Sequence, residues 1–250
     1  MRVEIRPLLL FVSAYAIDTS VHEAAHALAA YALGIPARLF HIYASVDLSS
    51  ASIHDQAVVR AAGPITSLLF GALCWLGYRA ARGKWAELPL FYLAVFGIAT
   101  FLGNVLSTAT VGDFSNAAVA AGLSVATRRV ISSVGWALLA AFAALVGQRL
   151  RAFAASDAIP RSVFDFVVLP AILGTAAVIV LYQPMPTNDS LARASEEAVF
   201  WLFAALAAHL FSRSAPRSDH PFDVRTGDWA LTAAAVALVR VLALGIPFTA

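Results

Sequence analysis

Long apolar stretches separated by short polar connectors decide what this chain can fold into. Seven of them, at about residues 8–33, 57–78, 88–111, 130–148, 163–182, 196–212 and 229–247, approach the roughly 20 residues a helix needs to cross the hydrocarbon core of a bilayer. Composition agrees. Of 250 residues 60% are hydrophobic and 13% charged, against about 25% charged in an average soluble domain. So little polar surface cannot clothe a water-facing exterior, and the solvent for most of the chain is lipid. The expected fold is an all-α, multi-pass protein of the cell membrane, with about seven transmembrane helices. A formal net charge of +2, with basic residues scattered between apolar blocks, offers no surface for nucleic acid. The single cysteine, Cys74, lies inside an apolar run; it excludes an intramolecular disulfide and a multi-cysteine metal site.

Three segments refine this outline. Arg2 and Arg6 before Leu8–Val12, with Ala14-Tyr15-Ala16 beyond, have the look of a cleaved leader. The apolar pattern continues to Leu33, however, which suits a retained spanning helix better. Residues 38–48 are rich in β-branched and aromatic types, which predicts a short strand or hairpin between the first two spans, an irregular loop being the alternative. Residues 114–127 are apolar but short, and read as interfacial or re-entrant. The connectors at 149–162, 183–195 and 213–228 hold ordinary turn residues, so the chain forms one membrane domain. The excess of Lys and Arg on alternate connectors puts the N-terminus in the cytoplasm.

The first span carries Val21-His22-Glu23-Ala24-Ala25-His26, an H-E-x-x-H pattern. On a helix, positions i and i+4 share a face, so His22 and His26 can bind one cation together. Zinc accepts imidazole nitrogen, and a catalytic zinc site uses three protein ligands and keeps a further position open. Glu23 points beside such a metal, where it can take a proton from water attacking a carbonyl and pass it to the leaving amine. With 6 histidines in the chain, chance produces this pattern about 0.3% of the time, and its placement in an apolar helix adds weight. Asp18, one turn earlier, can accept the second ring N–H of His22 or face water at the edge of the span. Two histidines leave a ligand to be found. Asp113, Glu196, Glu197, Asp18 and the other histidines are the candidates.

Three places resemble the site-2 protease family of intramembrane zinc metalloproteases. They are His22-Glu23-Ala24-Ala25-His26, the Gly-Pro segment Ala61-Ala62-Gly63-Pro64-Ile65-Thr66, and Asn104 followed by Gly112-Asp113. The departures are Ser107 where the family has Pro, and Phe114 where it has the Gly that follows the Asp. Thr66 or Ser67 replaces a polar residue common just after the Gly-Pro pair. The resemblance covers about the first 115 residues. Residues 1–127 then form a catalytic membrane core, and 128–250 additional transmembrane helices of the same domain. It implies a zinc endopeptidase with Glu23 as base, His22, His26 and Asp113 as ligands, and Asn104 on the substrate backbone near the scissile bond. It further implies membrane-anchored protein substrates, with the β segment at 38–54 pairing with an extended substrate. The family runs its first core helix inward, opposite to the charge count above, so both orientations stay open.

Competing readings stay open. Glu196-Glu197 is the main rival to Asp113, although carboxylates are also favoured at a helix N-terminus. His41 and His54 fall near the β segment and can touch substrate or serve as loop histidines; His209 suits an interhelical bond. Arg240 lies deep in the last apolar stretch. A non-catalytic metal-binding membrane protein is the alternative to an enzyme. An ion- or proton-coupled transporter fits less well, because the ionisable residues cluster near one site.

Overall fold

The structure is a computed structural model that describes residues 5–153, 168–183, 200–201, 203–206 and 224–249. Helix α1 (Ile5–Ala32) leads into the strands β1 (Ala37–Leu39) and β2 (Ala44–Val46). Helices α2 (Ile53–Ala80) and α3 (Glu87–Leu106) follow, then a 3-10 turn (Ser107–Ala109), α4 (Asp113–Ala120) and α5 (Val125–Phe153). A π-helical turn at Pro170–Gly174 runs into α6 (Thr175–Leu181), and α7 (Thr226–Leu242) precedes β3 (Ile246–Phe248). The chain is mostly helical with one small sheet.

Among the described residues three helices, Ile53–Ala80, Glu87–Ala109 and Val125–Leu150, are long and apolar enough to cross a membrane. They coincide with the expected spans at 57–78, 88–111 and 130–148. On α2, Ile65, Leu69, Leu73 and Leu76 form an exposed apolar stripe at helical spacing, the surface a lipid-facing helix needs. Helix α1 is equally long but occupies the centre, against α2, α3 and α7. Helix α4 is an eight-residue helix ended by a turn at Gly122, so the 114–127 segment does not span. Most of the stretch 196–212, with Glu196, Glu197 and His209, lies outside the described residues, as do residues 163–167 of the stretch 163–182 and large parts of the connectors 149–162, 183–195 and 213–228.

The expectation for the last apolar stretch needs correction. Residues 229–247 are not one helix: α7 stops at Leu242, Gly245 adopts φ +76°, and residues 246–248 are a strand. Glycine in the left-handed region ends the helix, and Pro247 cannot continue it. The sheet is therefore not confined to the connection between the first two helices. Its order is β2-β1-β3, antiparallel throughout, so one edge strand comes from residues 246–248.

The register has a definite phase. Opposed residues in an antiparallel pair alternate between exchanging two hydrogen bonds and exchanging none. The Phe40 N–H bond to the Tyr43 carbonyl (2.9 Å) sets Phe40/Tyr43 and Arg38/Ser45 as bonded pairs. Ala44 and Val46 then turn their main-chain groups away from β1, to the outer edge of β2. Toward β3 the bonded pairs are Ala37/Phe248 and Leu39/Ile246, with Arg38/Pro247 between them. Proline sits where its missing N–H removes no ladder bond, and it takes a donor from the outer edge of β3.

Small residues let the helices approach closely. A Cβ on Gly97 would stand 2.6 Å from the Ser67 carbonyl oxygen, and one on Gly71 2.7 Å from the Ile98 nitrogen. The α2–α3 crossing is thus backbone against backbone, as in close-packed membrane helices. Around α1 an aromatic core forms, with Phe11 edge-on to Phe96 (centroids 5.0 Å) and Tyr92 stacked on Trp201 (5.7 Å).

At the start of α1 lies an ion pair that the sequence reading missed. Arg6 Nε is 2.9 Å from Asp228 Oδ2, both residues buried. Arg6 also donates to the Trp85 carbonyl (3.1 Å), and Asp228 accepts from the Trp85 indole (3.2 Å) and the Arg225 N–H (2.8 Å). This clamp ties α1, the α2–α3 connection and α7 together. Removing one partner strands the other charge in an apolar interior. Asp228→Ala is expected to lose about 3–5 kcal/mol of stability, read as a lowered unfolding midpoint in detergent micelles, whereas an Arg6→Met/Asp228→Leu double variant recovers most of it.

Candidate metal centre

Helix α1 presents Asp18, His22, Glu23 and His26 to the interior, and all four are buried, with Glu23 3% exposed. Asp113 arrives from a separate element. Gly112, at φ +108° and ψ −174°, makes the turn that delivers it to the first position of α4. Only glycine adopts that conformation without strain, which explains why a Gly stands before Asp113 in this chain.

His22 Nε2 and Asp113 Oδ2 are 3.1 Å apart, His26 Nε2 and Asp113 Oδ2 3.4 Å, and the two Nε2 atoms 3.2 Å. The other ring nitrogens are already committed. His26 Nδ1 faces the Val59 carbonyl at 2.6 Å, and a carbonyl can only accept, so the ring hydrogen is on Nδ1. His22 Nδ1 faces the Ser67 hydroxyl at 3.2 Å. Ser67 and Asp18 interact electrostatically, and Asp18 Oδ2 accepts from the Thr100 hydroxyl at 2.6 Å. As a metal ligand through Nε2, His22 would carry its ring hydrogen on Nδ1 and donate it to the Ser67 oxygen. In that tautomer both Nε2 lone pairs would face one point, beside a carboxylate oxygen.

Three acceptors meeting at one point would be completed by a cation between them. One proton bridges only two of the three. A metal ion uses all three, and the distances suit one: tetrahedral bonds of about 2.0–2.1 Å imply ligand–ligand edges of roughly 3.3–3.4 Å. Gly63 supplies the room. A Cβ at that position would lie 2.3 Å from His26 Nε2 and 2.7 Å from His22 Nε2, so no side chain can stand there without displacing the imidazoles. Pro64 lacks the N–H that would bond the Arg60 carbonyl, which interrupts the helix ladder at the turn whose Val59 carbonyl receives His26. The Gly-Pro pair thus has a local physical reason. Among the described residues, His22, His26 and Asp113 are the group able to hold a metal ion.

Glu23 lies beside this cluster and interacts electrostatically with His26. Its Oε2 accepts the main-chain N–H of Ala44 at 2.9 Å, the outward-facing donor of β2. The Asp113 side chain is the more open member of the site, 31% exposed against 7% and 8% for the histidine side chains.

The remaining predicted residues have definite places. Asp18 is buried, bonded to the Thr100 hydroxyl, and interacts with His22 through space. Asn104 Nδ2 donates to the Thr100 carbonyl (3.1 Å), and its own carbonyl accepts from the Ser107 and Thr108 hydroxyls (3.3 and 3.2 Å). Asn104 thereby supports the turn before Asp113. His41 is buried, bonded to the Tyr182 carbonyl at 2.9 Å; His54 is exposed beside Asp55. Arg240 donates to the Gln183 carbonyl at 3.0 Å. Cys74 is buried within α2.

Sequence reasoning missed Ser67, Thr100, the Val59 carbonyl and the Ala44 N–H. Ser67 was within reach, since Val59, Gly63 and Ser67 recur every four residues on one face of α2. The two main-chain groups leave no side-chain signal. Comparison with models of known protein families, with curated proteins and with solved structures gave no match, so the functional reading rests on this geometry.

Partners that orient metal-binding histidines typically contribute about 10–100-fold to affinity. Ser67→Ala, which removes the Nδ1 partner of His22, is expected to weaken zinc binding by about that factor, measured by competition with a chromophoric chelator.

Proposed function

We propose that this chain is a multi-pass membrane zinc metalloendopeptidase, similar to the site-2 proteases, that hydrolyses peptide bonds of membrane-anchored proteins. The observation that carries the reading is the convergence of His22 Nε2, His26 Nε2 and Asp113 Oδ2, with the Glu23 carboxylate of the same helix beside them. A nitrogen-rich set of two imidazoles and one carboxylate is a donor set zinc favours in catalytic sites. The three apolar helices support a bilayer setting, and further apolar stretches of the sequence point to more than three spans.

When bound, the cation supplies the positive charge that polarises a carbonyl and acidifies water. The chain's own residues do the rest. His22 and His26 would present Nε2 lone pairs, with Ser67 and the Val59 carbonyl as the partners of their Nδ1 atoms. Glu23 accepts the proton of the attacking water on its carboxylate and hands it to the leaving amide nitrogen. The buried histidines and Glu23 keep the reaction away from bulk water, and the partly exposed Asp113 marks the side from which substrate enters.

The sheet supports a peptide substrate. A helical substrate has its carbonyls bonded and shielded, so it must be drawn out before hydrolysis. The outer edge of β2 offers the Ala44 carbonyl and both main-chain groups of Val46 to an extended chain. That edge adjoins Glu23 through Ala44, whereas the outer edge of β3 is blunted by Pro247. A non-catalytic metal protein would need neither the base nor an open strand edge next to it.

In detergent micelles, purified protein is expected to cleave quenched fluorescent apolar peptides in a zinc-dependent manner. Glu23→Gln, which keeps the shape but not the basicity, should lower kcat by about 100-fold or more while retaining bound zinc. Wild-type-like cleavage by that variant removes Glu23 from the role of base.

A further inference from the structure

The contact between Glu23 and Ala44 links the proposed base to a sheet, and that sheet depends on residues far along the chain. Strand β1 is central; β2 lies on one side and β3 on the other. A two-stranded hairpin alone is marginal in water or at an interface, and a third strand or a packed face is what makes it persist. Here β3 supplies both. Its bonded pairs with Ala37 and Leu39 complete the ladder of β1. Phe248 packs on the cluster of Ala27, Ala30, Leu39 and Leu242, and its ring meets Tyr31 at 6.3 Å. Arg38 reaches from β1 to the Gly245 and Leu244 carbonyls (3.4 and 3.5 Å) while its guanidinium lies over Phe40 at 5.4 Å.

We propose that β3 is a positioning element for Glu23: by pairing with β1 it holds the hairpin against α1, so that the Ala44 N–H meets the Glu23 carboxylate. The inference rests on the peptidase reading of the same site and adds to it a dependence on residues 246–248. The physical case is one of phase. Ala44 can give its N–H to Glu23 because that donor points away from β1 and takes no part in the ladder. Its direction follows β1, which packs on α1 through Ala37 and Leu39 and is paired along its far side by β3. Pinning Oε2 sets the orientation of the carboxylate relative to His22 and His26. A misplacement of about 1 Å in a reacting group costs on the order of 100-fold in rate, so a hairpin free to shift would leave the metal ligands intact and the base misaimed. Helix α7 carries β3 and is itself anchored to the start of α1 by the Arg6–Asp228 pair, so the strand is delivered by a rigid support.

The test uses three variants of the full chain in micelles. Ile246→Pro removes a β3 donor to β1. Phe248→Ala is milder, keeping the ladder and trimming its packing. Ala44→Pro removes the donor to Glu23 and no ladder bond. Hydrogen exchange of the Ala44 amide, which needs no activity, is expected to accelerate by about tenfold or more in both β3 variants, with zinc content at the wild-type level. For cleavage of the quenched peptides, Ala44→Pro and Ile246→Pro should each lower kcat more than they raise KM. The double variant should be no slower than Ala44→Pro alone, because both act through one contact. An Ala44 amide as protected in Phe248→Ala and Ile246→Pro as in wild type overturns the proposal, as do kcat losses that multiply. A wild-type protein that cleaves nothing sinks the peptidase reading alone, and the exchange measurement still decides whether β3 orders the Ala44 amide.

Discussion

The structure depends on two imidazoles and a carboxylate brought to one point. His22 Nδ1 is bonded to Ser67 and His26 Nδ1 to the Val59 carbonyl. The two Nε2 atoms face each other and Asp113 Oδ2 across 3.1–3.4 Å. In a low-dielectric interior such an arrangement is costly unless a cation completes it. The rest of the fold can be understood as what is needed to assemble this cluster and keep it dry.

Four elements contribute, each with a local reason. Helix α1 supplies a single face at i and i+4. Helix α2 approaches it without a side chain at Gly63, opens its ladder at Pro64, and sets Ser67 one turn on. Helix α3 closes on α2 through Gly71 and Gly97 and brings Thr100 to the back of Asp18. The turn at Gly112 then swings Asp113 in from the side. Thr100 of α3 bonds Asp18, and Ser67 of α2 bonds a ring nitrogen of His22, so α1 is held by both neighbours at the level of the cluster. The sheet plays the matching part for Glu23, whose carboxylate accepts the Ala44 main-chain N–H.

Side-chain chemistry at fixed spacing was legible in the sequence. His22, Glu23 and His26 announce themselves by pattern, and the apolar stretches at 57–78, 88–111 and 130–148 match helices because length and hydropathy alone define them. The choice between Asp113 and the distant acidic residues was not legible, because it depends on how a turn at Gly112 brings two helices together. The strand at 246–248 was hidden for a different reason. Its residues are as apolar as the helix before it, and only the left-handed Gly245 and the register of Pro247 reveal the change. Likewise Arg6 and Asp228 are separated by most of the chain, and nothing local marks them as partners. Long-range pairing and main-chain donors are the features that a linear reading cannot supply.

The most direct test is the metal content and coordination of the purified full-length chain, by elemental analysis and X-ray absorption at the zinc edge. The account predicts stoichiometric zinc with two imidazole nitrogens and carboxylate oxygen at about 2.0–2.1 Å, lost when His22, His26 or Asp113 is replaced by Ala. Protein that takes up no stoichiometric divalent metal, or that holds it equally well without these three side chains, would contradict it.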